Sequence, residues 1–519
     1  MKNLSGSLQR YLQWPITAWT AVLLAGALTP LAFAPYRWYW LMPILFGVLV
    51  LFAGVQEKRA VWLAYLWGFA AYLTQNYWVN ISLHDVAALP QVYALPMTLL
   101  FPAYLALYPA LCFWLLEKLH IGKGLRLAVA LPALWTLSEY VREIALTGFG
   151  WGALGYSQIA ASPLAGFAPV GGIHLVTLSV AAVGAWAVLA LLTASFRQRV
   201  AAVAACVLVF ALGAHLQSIE FTTPDGSEAR VALIQGNVPQ TLKFDPERIG
   251  ADIQMYYDRV AQLHDADIAI LPESAIPVIR QTLPEGVLAQ FASTAKRHNV
   301  ALAMGIIQYT PQQDGYENAV INLAEFNPEH PDSVPYYAKN HLVPFGEFRP
   351  FPVLTGWLYN LMNMPLSDFS RGGTQQAPLQ LANQKVAFNI CYEDSFGSEL
   401  IDSAAQASML ANVSNMGWFG SSEAMNLQLQ HSQARAMELG RYMVRATNNG
   451  VSAVIAPNGK ITAMIARDTR DTLYATAYGY SGSTPYMRLG GNLPLMVLLS
   501  LIVLALFAFS RRHKLGLKQ

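Results

Sequence analysis

The chain has 519 residues, 54% of them apolar and only 12% charged, about half the roughly 25% charge of an ordinary soluble domain. That length points to two folding units, and a mean hydropathy of +0.34 excludes a disordered chain, a soluble nucleic-acid binder and a secreted disulfide scaffold. Net charge is +2 but unevenly spread: residues 1–220 hold 17 charged side chains, 221–510 hold 43 with acids in excess, and 511–519 hold four basic ones.

Crossing a hydrocarbon core takes about 20 mostly apolar residues. Seven candidate runs precede residue 220, at 17–34, 38–54, 59–80, 92–117, 126–146, 170–194 and 198–216, and an eighth lies at 492–510. The expected organisation is therefore a transmembrane domain over 1–220, a soluble domain over 221–490, and a last span with a basic tail over 491–519. Short loops on one side hold Lys2, Arg10, Lys58, Arg59, Lys118, Lys123, Arg126, Arg197, Arg199, Arg511, Arg512, Lys514 and Lys518, whereas the alternate loops hold little beyond Arg37. The positive-inside bias then places both termini in the cytoplasm and 221–490 outside, in a bacterium the periplasm. Within the spans the only ionisable cluster is Glu139, Arg142 and Glu143. Glu139 and Arg142, three apart, are expected to pair on one helix face. So few mid-membrane charges argue against a transporter.

From residue 228 the pattern changes to short β-rich runs alternating with amphipathic stretches. Strands are expected at 230–235, 267–271, 300–307, 318–323, 334–338, 385–390, 407–412, 451–456 and 460–466, with helices at 248–263, 285–298, 397–405 and 422–444. Continuous apolar strands interleaved with helices imply a layered α/β sandwich. Chemistry in such sheets sits at the carboxyl ends of strands. Glu273, Lys339 and Cys391 each follow an expected strand, and a carboxylate, an ammonium and a thiol make a base, an electrostatic stabiliser and a nucleophile. Position alone leaves blander readings open, in which Cys391 is a small core residue, Glu273 a helix cap and Lys339 a surface charge. A Ser-His-Asp site lacks its G-x-S-x-G motif, and the scattered histidines lack metal-ligand spacing, so no metal or cofactor is expected.

Three motifs sharpen this reading. Leu271-Pro272-Glu273-Ser274, Tyr337-Ala338-Lys339-Asn340-His341-Leu342-Val343-Pro344-Phe345-Gly346-Glu347 and Asn389-Ile390-Cys391-Tyr392-Glu393-Asp394 resemble the Glu-Lys-Cys signature of the nitrilase superfamily. With seven preceding spans and one following, the whole chain resembles the apolipoprotein N-acyltransferase family, the membrane-embedded branch of that superfamily. Ile234 to Gln240, Asn415 to Gly420 and Thr447 to Val451 agree; Met416 departs, standing where the family often has Asp.

The resemblance implies an αββα sandwich carried on a polytopic bundle of about eight helices. It implies transfer of an acyl chain, usually from sn-1 of phosphatidylethanolamine, to the α-amine of the diacylglyceryl-modified N-terminal cysteine of an apolipoprotein. The expected partners are thus a phospholipid donor, a lipoprotein acceptor and the membrane, with no nucleic acid, and the chain is expected to be a monomer. Glu273 is the expected base, and Lys339 with the backbone N–H of Tyr392 the expected oxyanion donors. Glu347 is then a second carboxylate serving Lys339, while Glu393, Tyr392 and Asn318 support the site. Asn415 and Trp418 are expected to contact substrate. The apolar segment 350–370, with Phe351, Leu354, Trp357, Leu358, Leu361 and Met362, is expected to cover the acyl chain as a lid. The rival reading is a membrane-anchored nitrilase-type amidase, in which water resolves the thioester.

Overall fold

The computed structural model describes residues 13–159, 161–359 and 368–516, without the side chains of Leu354, Trp357, Leu358, Tyr359 and 513–516. Two compact units form: Met1–Tyr77, Leu95–Glu220 and Leu489–Gln519 make one, and Trp78–Ala94 with Phe221–Arg488 the other. The excursion of Trp78–Ala94 into the second unit has no counterpart in the hydropathy pattern.

The first unit is helical. Among the described residues four helices are long and apolar enough to cross a membrane: Gln91–Lys118, Pro163–Leu192, Phe196–Gln217 and Leu493–Arg512. A fifth crossing results if Leu41–Val55 and Glu57–Gln75, bent by 115° at their junction, count as one span. Helices in two other apolar runs are short, 13 residues at Pro15–Ala27 and 14 at Leu131–Ile144, the latter carrying the charged cluster. Packing here is close and aromatic. Phe46 meets Trp135 edge-on at 4.7 Å, and a Cβ on Gly26 would lie 2.3 Å from the Trp67 carbonyl oxygen.

The charged cluster is buried but wired differently from the expected Glu139–Arg142 pair. Glu139 accepts from Trp135 Nε1 (2.9 Å), Thr177 Oγ1 (2.9 Å) and the Leu154 backbone N–H (3.1 Å). Arg142 Nη1 donates to the carbonyls of Phe149 (2.6 Å) and Trp151 (2.7 Å), and its guanidinium lies over the Tyr72 ring. Glu143 takes His174 instead, at 2.8 Å. Residues 148–154 leave the helix and fold back over it, so their backbone groups reach these charges first.

The second unit is a four-layer sandwich. Its first sheet runs β13 (Asp471–Gly482), β1 (Thr222–Gln235), β2 (Ile268–Ile270), β4 (Ala301–Tyr309), β5 (Tyr316–Asn322), β6 (Tyr336–Ala338), with β3 (Ile276–Ile279) paired to β4. The second runs β12 (Ile461–Met464), β11 (Ala453–Ile455), β10 (Tyr442–Thr447), β9 (Met409–Ser414), β8 (Gln384–Ile390), β7 (Leu379–Leu381). Alternate residues of the central strands enter two cores. Val231, Leu233, Ile268 and Ile270 meet Phe388, Ile390, Val413 and Val444 between the sheets. Ala232, Ile234, Ala269 and Leu302 face outward onto Tyr256 and Val260 of the Pro246–Ala261 helix and Phe291 of Val287–Arg297. The second sheet is covered by Ile401–Gln406 and Ala424–Leu439. Burial on both faces explains why these strands read as unbroken apolar runs.

The expected helix over 422–444 is corrected by the structure. It ends at Leu439, Gly440 adopts φ +60°, and Tyr442–Thr447 is a buried central strand. A side chain at Gly440 would meet Thr222 at 2.6 Å, so the reversal requires glycine for space and for conformation. β3, β7 and β13 are likewise absent from the sequence reading. Two are three or four residues long, and the third alternates exposed and buried positions at the sheet edge.

Candidate active site

Three strands each end on one of the reactive groups. β2 leads through Leu271-Pro272 to Glu273, β6 stops one residue before Lys339, and β8 runs directly into Cys391. All three side chains are buried, Lys339 to 1% exposure. Lys339 Nζ lies 2.8 Å from both carboxylate oxygens of Glu347 and 3.6 Å from Glu273 Oε1. Asn318 joins the two acids, its Nδ2 donating to Glu273 Oε1 at 2.7 Å and to Glu347 Oε1 at 3.0 Å. The second oxygen of Glu273 accepts the Asn415 backbone N–H at 2.7 Å. Glu347 is anchored in turn by the Val343 N–H at 2.9 Å, which closes the turn beyond Lys339.

Cys391 begins a short 3₁₀ turn with φ +55°, a conformation that costs a non-glycine residue free energy. Its carbonyl is fixed by Gln428 Nε2 (2.7 Å) and Asn412 Nδ2 (3.1 Å). Behind them Arg445, wholly buried, donates to Gln428 Oε1 (2.6 Å), Asn412 Oδ1 (2.7 Å) and Asp394 Oδ2 (3.0 Å). The strained turn is therefore held through its carbonyl by a network that ends on a buried arginine.

Electrostatics couple the groups. Burial raises the Cys391 thiol well above the ordinary cysteine value, Glu273 raises it further, and Lys339 opposes both. Burial works against the charge on Lys339, but Glu347, Glu273 and Cys391 together hold its pKa above that of a free lysine. The thiol thus lies in the field of both Glu273 and Lys339.

The supporting residues divide. Glu393 is saturated: it accepts from Ile390 N (2.6 Å), Tyr337 Oη (2.9 Å), Asn340 N (2.6 Å) and His341 N (3.0 Å), so it straps the lysine loop to the cysteine turn. Tyr392 packs its ring edge-on to Phe396 at 5.0 Å. Asn415 bonds Gln240 Oε1 through Nδ2 at 2.6 Å and accepts from Asn448 at 3.0 Å. Trp418 lies in the next turn, where its carbonyl accepts from Ser82 Oγ at 2.7 Å while the Trp78 ring meets Phe419 at 4.6 Å. Met416, in place of the acid common in the family, is fully buried. Phe351 is exposed, the side chains of Leu354, Trp357 and Leu358 are not described, and Leu361 and Met362 lie outside the described residues.

Lys243 escaped the sequence reading, and Gln240 and Asn448, which lie in stretches that agree with the family, were given no role in it. A lone lysine in a polar loop reads as solvated, yet Lys243 is 3% exposed and donates to the Glu273 carbonyl at 3.1 Å. Its place just past the end of β1 was the available signal, since the same strand-end rule locates the other three groups. Among the described residues no cluster of three His, Cys, Asp or Glu side chains suits a metal ion.

Comparison with known proteins fits this geometry. Residues 25–186 match the apolipoprotein N-acyltransferase N-terminal domain, and residues 230–486 match the carbon-nitrogen hydrolase family. The apolipoprotein N-acyltransferase of Neisseria meningitidis serogroup A is 54% identical over 98% of this chain and 99% of its own. The chain belongs to the apolipoprotein N-acyltransferase family. The family's proteins from Chromobacterium violaceum (51% identical over 95% of this chain and 94% of that one) and Vibrio cholerae (36% over 95% and 97%) extend the match across the same length. Family membership makes this an acyltransferase built on a carbon-nitrogen hydrolase sandwich with an apolar helical unit, rather than a free-standing hydrolase.

Proposed function

We propose that the chain moves a fatty acyl group from the sn-1 position of a phospholipid such as phosphatidylethanolamine to the α-amine of the diacylglyceryl-cysteine of an apolipoprotein, by way of a thioester on Cys391. Glu273 takes the thiol proton, and the thiolate attacks the ester carbonyl. Lys339 stabilises the tetrahedral oxyanion, a contribution typically worth about 10²–10³ in rate for one donor. Glu273 returns its proton to the leaving lysophospholipid alkoxide. The acceptor amine then yields a proton to Glu273 and displaces the thiol, which gives the amide and ping-pong kinetics. Glu347 holds Lys339 charged and aimed, and Asn318 keeps the two carboxylates in register.

The observation that carries this reading is the burial of Glu273, Lys339 and Cys391 at three strand ends, with Lys339 3.6 Å from Glu273, in a chain that also carries an apolar helical unit of membrane-spanning composition. The same reading places the chain in the bacterial inner membrane as a monomer, with about eight crossings, both termini cytoplasmic and the sandwich periplasmic, as the Lys and Arg distribution favours. Intact-protein mass spectrometry after mixing with phosphatidylethanolamine tests it. The expected result is one fatty-acyl mass on the wild type and none on Cys391→Ala. A diacylglyceryl-cysteine peptide should discharge that adduct as peptide amide; release as free fatty acid would favour the amidase reading.

A further inference from the structure

The two carboxylates that Lys339 engages outnumber it by one charge, before the buried Glu393 that straps the lysine loop is counted. Glu273 and Glu347 carry two negative charges, and Lys339, engaged by both, supplies one positive charge. Moving the thiol proton to Glu273 shifts a negative charge onto sulfur without removing it, and attack on an ester shifts it onward to oxygen. Uncompensated charge at a buried site is costly.

Lys243 is the one further cation bonded to this cluster among the described residues. It follows the one-turn helix Gln240–Leu242, in the loop after β1. That loop is tied down at several points, two of which lead toward the site. Asn448 accepts from Val238 N (2.9 Å) and donates to Val238 O (2.7 Å), and Asn415 Nδ2 donates to Gln240 Oε1 at 2.6 Å. Asn415 also holds Glu273 Oε2, so one amide network positions both Lys243 and the catalytic carboxylate. Lys243 Nζ donates to the Glu273 carbonyl at 3.1 Å and makes no ion pair within 4 Å among the described residues. The groups acting on it are Glu273, Cys391 and Asp252; behind Asp252 stand Arg248, at 3.8 Å, and Arg470, and behind Cys391 stands Lys339.

We propose that Lys243 is a positioning residue that offsets part of this negative charge, fixing the Glu273 backbone and lending a second positive field to the thiolate and oxyanion. Burial lowers its pKa to about 8, with Glu273, Cys391 and Asp252 pulling it back up. Its charge is therefore present below pH 8 and lost as pH rises through that value, so acylation of Cys391 falls on the alkaline side. This rests on the thioester reading above.

The test is single-turnover acylation of Cys391 by phosphatidylethanolamine in the full-length protein, followed by intact mass between pH 6 and 10. Wild-type rates should fall above about pH 8. Lys243→Met should acylate about 10- to 100-fold more slowly at pH 7, with no step near 8. Lys243→Arg, whose guanidinium stays charged, should recover much of the rate and also lose the step. A second readout is independent of acyl transfer: iodoacetamide labelling of Cys391, assigned by peptide mapping, should show a higher thiol pKa in Lys243→Met than in wild type. Wild-type acylation rates in Lys243→Met, or an unmoved alkaline limb in Lys243→Arg, would overturn the inference while leaving the thioester intact. Absence of any adduct on wild type would instead defeat the thioester reading, and the labelling data would still judge Lys243.

Discussion

Two buried ionic clusters, one in each unit, are built from similar parts and differ in what they leave open. In the helical unit Glu139 and Arg142 are met by backbone groups of 149–154 and by Trp135 and Thr177, while Glu143 takes His174. Each charge there has its own donors or acceptors, and the buried thiol of Cys112, in the field of Glu139, has among the described residues no lysine acting on it as Lys339 acts on Cys391. In the sandwich, Asn318 divides one amide between two acids, Lys339 answers both, and a thiol sits in their field. Burial is common to both. What separates the reactive cluster from the structural one is a thiol in the field of both a carboxylate and a lysine, whose proton can move without changing the total charge.

The largest expected effects test that distinction directly. Cys391→Ala should abolish acyl transfer, and Glu273→Gln or Lys339→Met should lower turnover by about 10³-fold or more in a phospholipid-to-peptide assay, without loss of fold. Next, Arg445→Met leaves Asp394 buried without its cation and frees the amides that hold Cys391. It should cost about 3–5 kcal/mol in detergent unfolding, with part recovered when Asp394→Asn is added. A smaller loss of stability is expected from Asn318→Leu, which strips one donor from each of two carboxylates that keep the Asn415 N–H, the Val343 N–H and Lys339 as partners. Turnover should fall about 10- to 100-fold, with melting changed far less than in Arg445→Met.

The helical cluster supplies the reverse result. Glu139→Gln should lower unfolding stability by about 1–3 kcal/mol with turnover of the folded fraction unchanged; a rate loss at unchanged stability would break the comparison. The smallest effect belongs to Ser82→Ala, which removes the bond to the Trp418 carbonyl. About 1 kcal/mol of stability and less than a threefold change in rate are expected, measured on the same preparations.

Legibility in the sequence followed the range of the interactions. Glu273, Lys339 and Cys391 were readable because each follows an apolar strand, a pattern written in adjacent residues. Glu393 was visible beside Cys391, but its bracing bonds to Asn340 and His341 join segments some 50 residues apart. Lys243 was hidden for the same reason: the carbonyl that receives its ammonium, that of Glu273, is thirty positions away. The Tyr442–Thr447 strand was misjudged as helix because its apolar residues continue the preceding helical run, and only Gly440 against Thr222 shows why the chain turns.

Composition and periodicity by themselves determined an apolar helical part, an α/β part and three reactive groups at strand ends, since solvent transfer and strand burial act on neighbouring residues. Tertiary structure alone decided that Arg142 serves carbonyls rather than Glu139, that Trp78–Ala94 joins the sandwich, and that a second lysine is buried against the Glu273 backbone. Those outcomes depend on which distant groups reach a buried charge first, and no local pattern carries that distance.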